Sequence, residues 1–319
     1  MMILTSGYLS ENKVWKFADL PFLGIIFALI GAPLIKKVVL NLLVKKRRKS
    51  MVAKVVLITG ASSGLGEALS HTFYRAGCKV ILAARRELEL KRVYKDLLAL
   101  KVEGPTCVPD LVVLDLEDLS GIPEIINKVV ERHNRIDLLV NNGGISVRGD
   151  VLSTSMEVYN KIMTTNFLGS VALTKAVLPS MIQNTEGRIV FVSSVQGKFA
   201  LPFRSAYCAS KHAIQAFSDS LRAEVVKYNI KVTCISPGYI KTSLSNNALT
   251  GDGSKYGQMD DSTANGTHPS VMANYIFLSI LKDEKDVIFA QKTAKLAYWL
   301  KFLFPTAYFW IMQKRANCK

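Results

Sequence analysis

Tyr207 stands four residues before Lys211 in "SAYCASKHA" (205–213), a run otherwise built of small side chains. Helical positions four apart share a face, so the phenol and the ammonium point the same way, as surface decoration or as an acid/base pair. A second chemistry-bearing stretch is "TGASSGLGEAL", with Gly60, Gly64 and Gly66 directly after the β-branched run "KVVLI". Glycines between a strand and a helix start let backbone N–H groups approach a pyrophosphate at the helix N-terminus; the bland reading is a tight strand-to-helix turn. The spacing is G-x3-G-x-G, one residue longer in its first gap than the common dinucleotide fingerprint. Further on, "LAARRE" closes the next strand-like run. An acid about 20 residues past the glycines would accept from ribose hydroxyls. Ala84 holds that place, followed by Arg85 and Arg86, and a guanidinium forks readily onto a phosphate. NADP(H) is therefore expected over NAD(H), against the reading of both arginines as an exposed helix start.

The elements that must hold these residues alternate along the chain. Short β-branched runs ("KVVLITG", "KVILAAR", "DLVVLDL", "IDLLVNN", "RIVFVSS", "IKVTCIS") take turns with helical patterns from about Leu65, Glu87 and Ile122, over 156–183, and around Tyr207 and Lys211. Such alternation means parallel strands joined by crossover helices: an α/β fold with a doubly wound, mostly parallel sheet between two helical layers, Rossmann-type. Ligands bind such sheets outside the carboxyl ends of the strands. The stretch 245–269, rich in Gly, Asn, Asp and Ser, is read as a substrate loop. Three regions follow: 1–50, an apolar membrane anchor with a basic flank; 51–290, the catalytic domain; and 291–319, an aromatic and basic segment.

The formal charge is +16 on 319 residues, and it is uneven: residues 1–50 hold nine Lys and Arg against two acids, and residues 282–319 hold eight against three. The long middle keeps little excess, which argues against a nucleic-acid surface. Five scattered cysteines without paired spacing argue against a disulfide framework or a metal site. From Leu20 to Ile35 no residue is charged, and the basic cluster "KKRRK" comes after the apolar runs. A cleaved signal would put its charge in front, so a retained anchor is expected, either spanning or bent as a hairpin at Gly31 and Pro33. Lysines and arginines mark cytoplasmic flanks, so the catalytic domain is expected to face the cytosol, on the endoplasmic reticulum membrane. The C-terminal aromatics among lysines read either as a core helix of the domain or, the reading preferred here, as a segment lying in a headgroup layer.

The motifs "TGASSGLG", "NNGG" (141–144), "SS" (193–194) and "YCASK", in that order, resemble the short-chain dehydrogenase/reductase family over about residues 52–290. The anchor, with "ISPGYIKTSLS" and "ALTGDGSKYGQMD", further resembles that family's membrane-associated member 7 group, B type. The resemblance implies that Tyr207 is the general acid for carbonyl reduction and the base in reverse. Lys211 would favour the phenolate and bind ribose hydroxyls, Ser194 rather than Ser193 would hold the substrate oxygen, and Asn166 would orient Lys211 through water. It also implies dinucleotide contacts at Gly60, Ser62, Ser63, Gly64, Leu65, Gly66, Arg85, Asp115 and Asn142, and in the segment Pro237, Gly238, Ile240 and Thr242, with Asn141 supporting the central strand. Gly143 departs from the family's usual alanine and is read as added backbone freedom. Members often dimerise through helices such as 156–183 and 207–227. The expected substrate is an apolar carbonyl or alcohol, a steroid, retinoid or lipid ketone met in the bilayer. The alternative is a dinucleotide-binding scaffold with little turnover.

Overall fold

The computed structural model describes residues 32–317. Its first element, α1 (Ala32–Lys49), carries seven lysines and arginines, and its apolar side chains between them are largely exposed. Pro33 sits in the first turn, where its missing N–H costs nothing. Among the described residues no helix is long and apolar enough to cross a membrane. Most of the run Leu20–Ile35, on which the anchor was expected, lies outside the described residues, as does Gly31.

A seven-stranded parallel sheet forms the centre of the unit Arg47–Lys319, in the order β3-β2-β1-β4-β6-β7-β9. Its strands are β1 (Val55–Thr59), β2 (Lys79–Ala84), β3 (Asp110–Val113), β4 (Leu138–Asn141), β6 (Gly187–Val192), β7 (Ile230–Pro237) and β9 (Asp286–Phe289). The six runs read from the sequence account for all but β9, which is only four residues long and edges the sheet beside β7. Side chains alternate across the sheet. Leu57, Ile81, Leu139 and Ile189 join one core with α4 (Ile122–His133), α6 (Gly169–Gln183) and α7 (Ser205–Val225). The residues between them face the opposite layer, which contains α2 (Gly64–Arg75), α3 (Glu87–Leu98) and α9 (Pro269–Lys282). There Phe73 and Phe277 meet edge to face at 5.3 Å. Residues buried on both faces explain why the central strands read as continuous apolar runs.

The strand order reverses between β1 and β4, and this crevice at the carboxyl ends receives the glycine loop. The helix expected over 156–183 is continuous but not uniform: α5 (Met156–Met163) passes through a π turn (Thr164–Leu168) into α6. The long loop is partly ordered. Its β8 (Leu249–Thr250) pairs in parallel with β5 (Val147–Arg148), and a short α8 (Asp261–Ala264) follows. At the C-terminus, α10 (Lys292–Leu303) and α11 (Pro305–Asn317) are split at Pro305, since a proline ends the helix before it.

Candidate active site

One cavity of about 510 Å³ is lined by the glycine loop, the ends of β2 and β4, Ser194, Tyr207, Lys211 and the segment after β7. Gly60 and Gly64 have φ of +67° and +59°, conformations that a side chain rarely adopts. A Cβ on Gly66 would meet the Gly60 carbonyl oxygen at 2.2 Å, so this turn can be built only from glycine there. Ser63 precedes α2 without a side-chain cap, which leaves the first-turn N–H groups for another acceptor. Asn142 closes the turn from the neighbouring strand: its Nδ2 donates to the Thr59 carbonyl at 2.9 Å, and its backbone N–H donates to Thr59 Oγ1 at 2.9 Å. This donor-rich cradle fits the pyrophosphate of a dinucleotide, and Leu65, Asp115, Pro237, Gly238, Ile240 and Thr242 line the same cavity.

The two arginines after β2 have different partners. Arg85 donates to Glu117 Oε1 at 2.9 Å and lies 3.9 Å from Asp115. Arg86 Nη2 instead donates to Ser62 Oγ and Ser63 Oγ, both at 3.0 Å, so it lies against the glycine loop. The sequence singled out Arg85; of the two, Arg86 is the one in contact with the hydroxyls of the turn. At Gly143 a Cβ would lie 2.7 Å from Leu116 Cδ1, so the missing methyl also makes room for the end of a leucine.

Tyr207, Lys211 and Ser194 converge because α7 begins beside the end of β6. Lys211 is buried, its Nζ donating to the Val192 carbonyl at 3.0 Å and lying 5.8 Å from the centre of the Tyr207 ring. Burial pulls its ammonium down to about 8. Burial also pushes the Tyr207 phenol above its ordinary value; a hydrogen bond with Ser194 opposes this, as do the charges of Arg204 and Arg148. Ser193 is otherwise engaged: its Oγ donates to the Lys211 carbonyl at 3.0 Å and accepts from Gln215. Ser194 thus faces the phenol while its neighbour braces the helix.

Asn166 occupies the π turn, a helical irregularity that re-aims side chains. Its Oδ1 accepts from the Ile145 N–H at 2.8 Å, and its Nδ2 donates to the Ile145 carbonyl at 2.9 Å and to Ser210 Oγ at 3.0 Å. A Cβ on Gly144 would come 3.0 Å from Asn166 Oδ1 and 3.6 Å from Lys211 Nζ, so asparagine and lysine flank one glycine. Asn141 is buried in β4 and donates to Thr174 Oγ1 at 3.2 Å, tying the central strand to α6.

Sequence reasoning missed the cationic arm of the site. Arg148 Nε and Arg204 Nη2 each donate to Asp260 Oδ2 at 3.0 Å, with side chains only 7 % and 9 % exposed. Both guanidiniums line the cavity. Three residues so far apart in the chain give no periodic signal; the only hint was an arginine directly before the Tyr207 helix.

The model of the short-chain dehydrogenase family matches residues 54–252. With the sheet order and the tyrosine–lysine pair beside a glycine loop, this defines the chain as a member of the short-chain dehydrogenase/reductase family, an oxidoreductase. It is 59 % identical over 296 residues to a dehydrogenase/reductase SDR family protein 7-like of Anopheles gambiae, covering 92 % of this chain and 93 % of that one. Member 7B of Xenopus tropicalis is 46 % identical over 264 residues, covering 82 % and 85 %. Among solved structures, a Burkholderia phymatum short-chain dehydrogenase/reductase in complex with NAD superposes with a TM-score of 0.69 at 21 % identity, covering 79 % and 94 %; this likeness concerns the fold.

Proposed function

We propose that the protein is a membrane-anchored, NADP(H)-dependent reductase of carbonyl compounds with Tyr207 as the proton donor. The observation that carries this reading is the convergence of Tyr207, Ser194 and Lys211 on one wall of the cavity that also holds the glycine loop. The dinucleotide, when bound, supplies or accepts a hydride. Ser194 holds the carbonyl oxygen against the phenol, and Tyr207 gives its proton to that oxygen as the alcohol forms. Burial keeps the phenol protonated until then, which suits an acid. Lys211 and Asn166 fix the geometry from behind.

Charge supports the finer assignments. Arg85, Arg86, Arg148, Arg204 and Lys211 line the cavity, with Asp115 as the single carboxylate among the described residues that line it. Ala84 puts no carboxylate at the end of β2, and Arg86 beside Ser62 and Ser63 offers a site for a 2′-phosphate, which favours NADP(H). At the other end, Ile145, Val195 and Leu244 offer apolar wall, while two guanidiniums share one aspartate. That surplus favours a lipid ketone with an acidic group over a neutral steroid or retinoid. The anchor itself rests on the uncharged run Leu20–Ile35 and the basic cluster behind it.

The test is NADPH consumption by the detergent-solubilised full chain with ketones that do or do not carry a carboxylate or phosphate. Tyr207→Phe should lower turnover by about 10²–10⁴-fold with NADPH binding retained, as loss of a general acid does. Retained turnover would remove Tyr207 from the mechanism, and binding without turnover in the unaltered chain would favour the scaffold. Sidedness has a separate test in Asn265, exposed and opening the sequon "NGT". The unglycosylated form is expected in cells, and a glycan there would place the domain in the lumen.

A further inference from the structure

The helices α10 and α11 form a hairpin whose inner face is accounted for. Tyr308 is buried, donates to the Ala200 carbonyl, and packs against Phe199 at 6.4 Å. With Val195 and Leu201 it makes a small core into which Ala297, Leu300 and Met312 pack. The outer face is apolar as well. Trp299, Phe302, Phe304, Phe309 and Trp310 are each more than half exposed. A helix apolar on both sides belongs in an apolar surrounding, and an exposed aromatic patch of this kind marks an interaction surface.

Charge decides what covers it. After Asp286 the sequence contains no acidic residue, whereas Lys292, Lys295, Lys301, Lys314 and Arg315 are distributed along the two helices. Lys314 sits 3.8 Å from the Trp310 ring centre, an aromatic and a cation at one level. Two copies meeting through this face would bring unpaired cations together, which is unfavourable. An anionic lipid surface complements them, with aromatic rings at headgroup depth and lysine stems reaching back to the phosphates.

We propose that the α10–α11 hairpin lies in the headgroup layer of an anionic bilayer and seats the catalytic unit there through the strap Val195–Leu201. That strap begins one residue after Ser194, and its Gln196 lines the cavity. A substrate leaving the lipid would therefore meet the wall of the site that carries the oxygen-holding serine. The inference is independent of turnover and of the identity of the substrate.

The sequence holds three tryptophans, so Trp15→Phe in the full chain leaves Trp299 and Trp310 as the reporters. The protein would be reconstituted into phosphatidylcholine–phosphatidylglycerol vesicles and its emission compared with and without bromine on the acyl chains. Bromine near the carboxyl end should quench emission about twofold, as expected for rings at the interface, and bromine near the terminal methyl should quench less. Phosphatidylcholine alone, or Lys314→Glu with Arg315→Glu, should weaken the quenching. A chain that floats with the vesicles but is quenched only by aqueous acrylamide has its hairpin in water, which overturns the proposal. Shielding from both quenchers means protein covers the face, a second copy included, and overturns it too. A chain that does not float overturns the anchor and the hairpin together, and none of these three results touches the reductase chemistry.

Discussion

The two ends of the cavity solve the same problem, holding charge near a ligand, by different means. At the dinucleotide end the charges lie on the rim: the Arg85 side chain is 49 % exposed and shares two acids. At the other end Arg148 and Arg204 are buried against Asp260, which is 11 % exposed. Rim charges are hydrated and can exchange partners at little cost, whereas buried ones must be paired in advance or not exist. The first end can be built from short contiguous motifs, while the second needs three distant segments already folded together.

Asp260→Asn should break this comparison most sharply. Removing the carboxylate leaves two buried guanidiniums facing each other, and losing one partner of a buried pair costs about 3–5 kcal/mol. Urea unfolding should show a loss of unfolding free energy of that order, whereas Glu117→Gln on the Arg85 rim should change stability by less than about 1 kcal/mol. Equal shifts would mean that the two ends are not different in kind.

Next in size is the buried ammonium. The folded pKa of Lys211, about 8, lies below the unfolded value near 10.5. The unfolded chain therefore binds more protons between these values, and stability contributed by this group rises with pH across that window. Below pH 8 the penalty is fully present, on the order of 3 kcal/mol. Lys211→Met should remove that part of the rise, so the stability difference between variant and parent should shrink from pH 7 to pH 10. A difference independent of pH would mean that Lys211 binds its proton in the fold as readily as in the unfolded chain, so that burial costs its ammonium nothing.

The two arginines after β2 should differ under substitution. Arg86→Ala is expected to weaken NADPH relative to NADH by about 10- to 100-fold, the scale of a lost charge-assisted contact of about 1.5–3 kcal/mol. Arg85→Ala should discriminate less, because its guanidinium is committed to Glu117. Titration with both dinucleotides decides between them, and a larger effect at Arg85 would reverse the assignment.

The smallest effect concerns Gly143→Ala. Its methyl would press on Leu116, overpacking that costs about 1 kcal/mol, and Leu116→Val should recover most of it in a double-mutant cycle. Additive losses would mean that the two residues do not share the space.

This ordering also marks how far the sequence could be read. The sheet, its crossovers and the glycine turn announce themselves through periodicity and backbone demands, so six of seven strands and the loop at the switch point are visible without coordinates. Tyr207 and Lys211 show as a spacing on one helix, and Ser194 as a strand end. The edge strand "DVIF" is too short and too exposed to carry a pattern. Arg86 against Arg85 is invisible because neighbours in sequence diverge only once the strand's end has a direction. The Asp260 clamp is invisible because it crosses 112 residues to Arg148 and 56 to Arg204.

The π turn at Thr164–Leu168 lets one rod face two ways. Before it, Val158 and Ile162 pack with Tyr207 beside the cavity; after it, Leu173, Val177 and Met181 pack into the main core beneath the sheet. A regular helix of the same length would keep a single phase, and its apolar stripe could serve only one of these two bodies without drifting off the other. The wider turn resets the phase midway. In this sense Asn166 sits at a gear change, where the chain trades helical regularity for the freedom to join the catalytic wall to the frame that supports it.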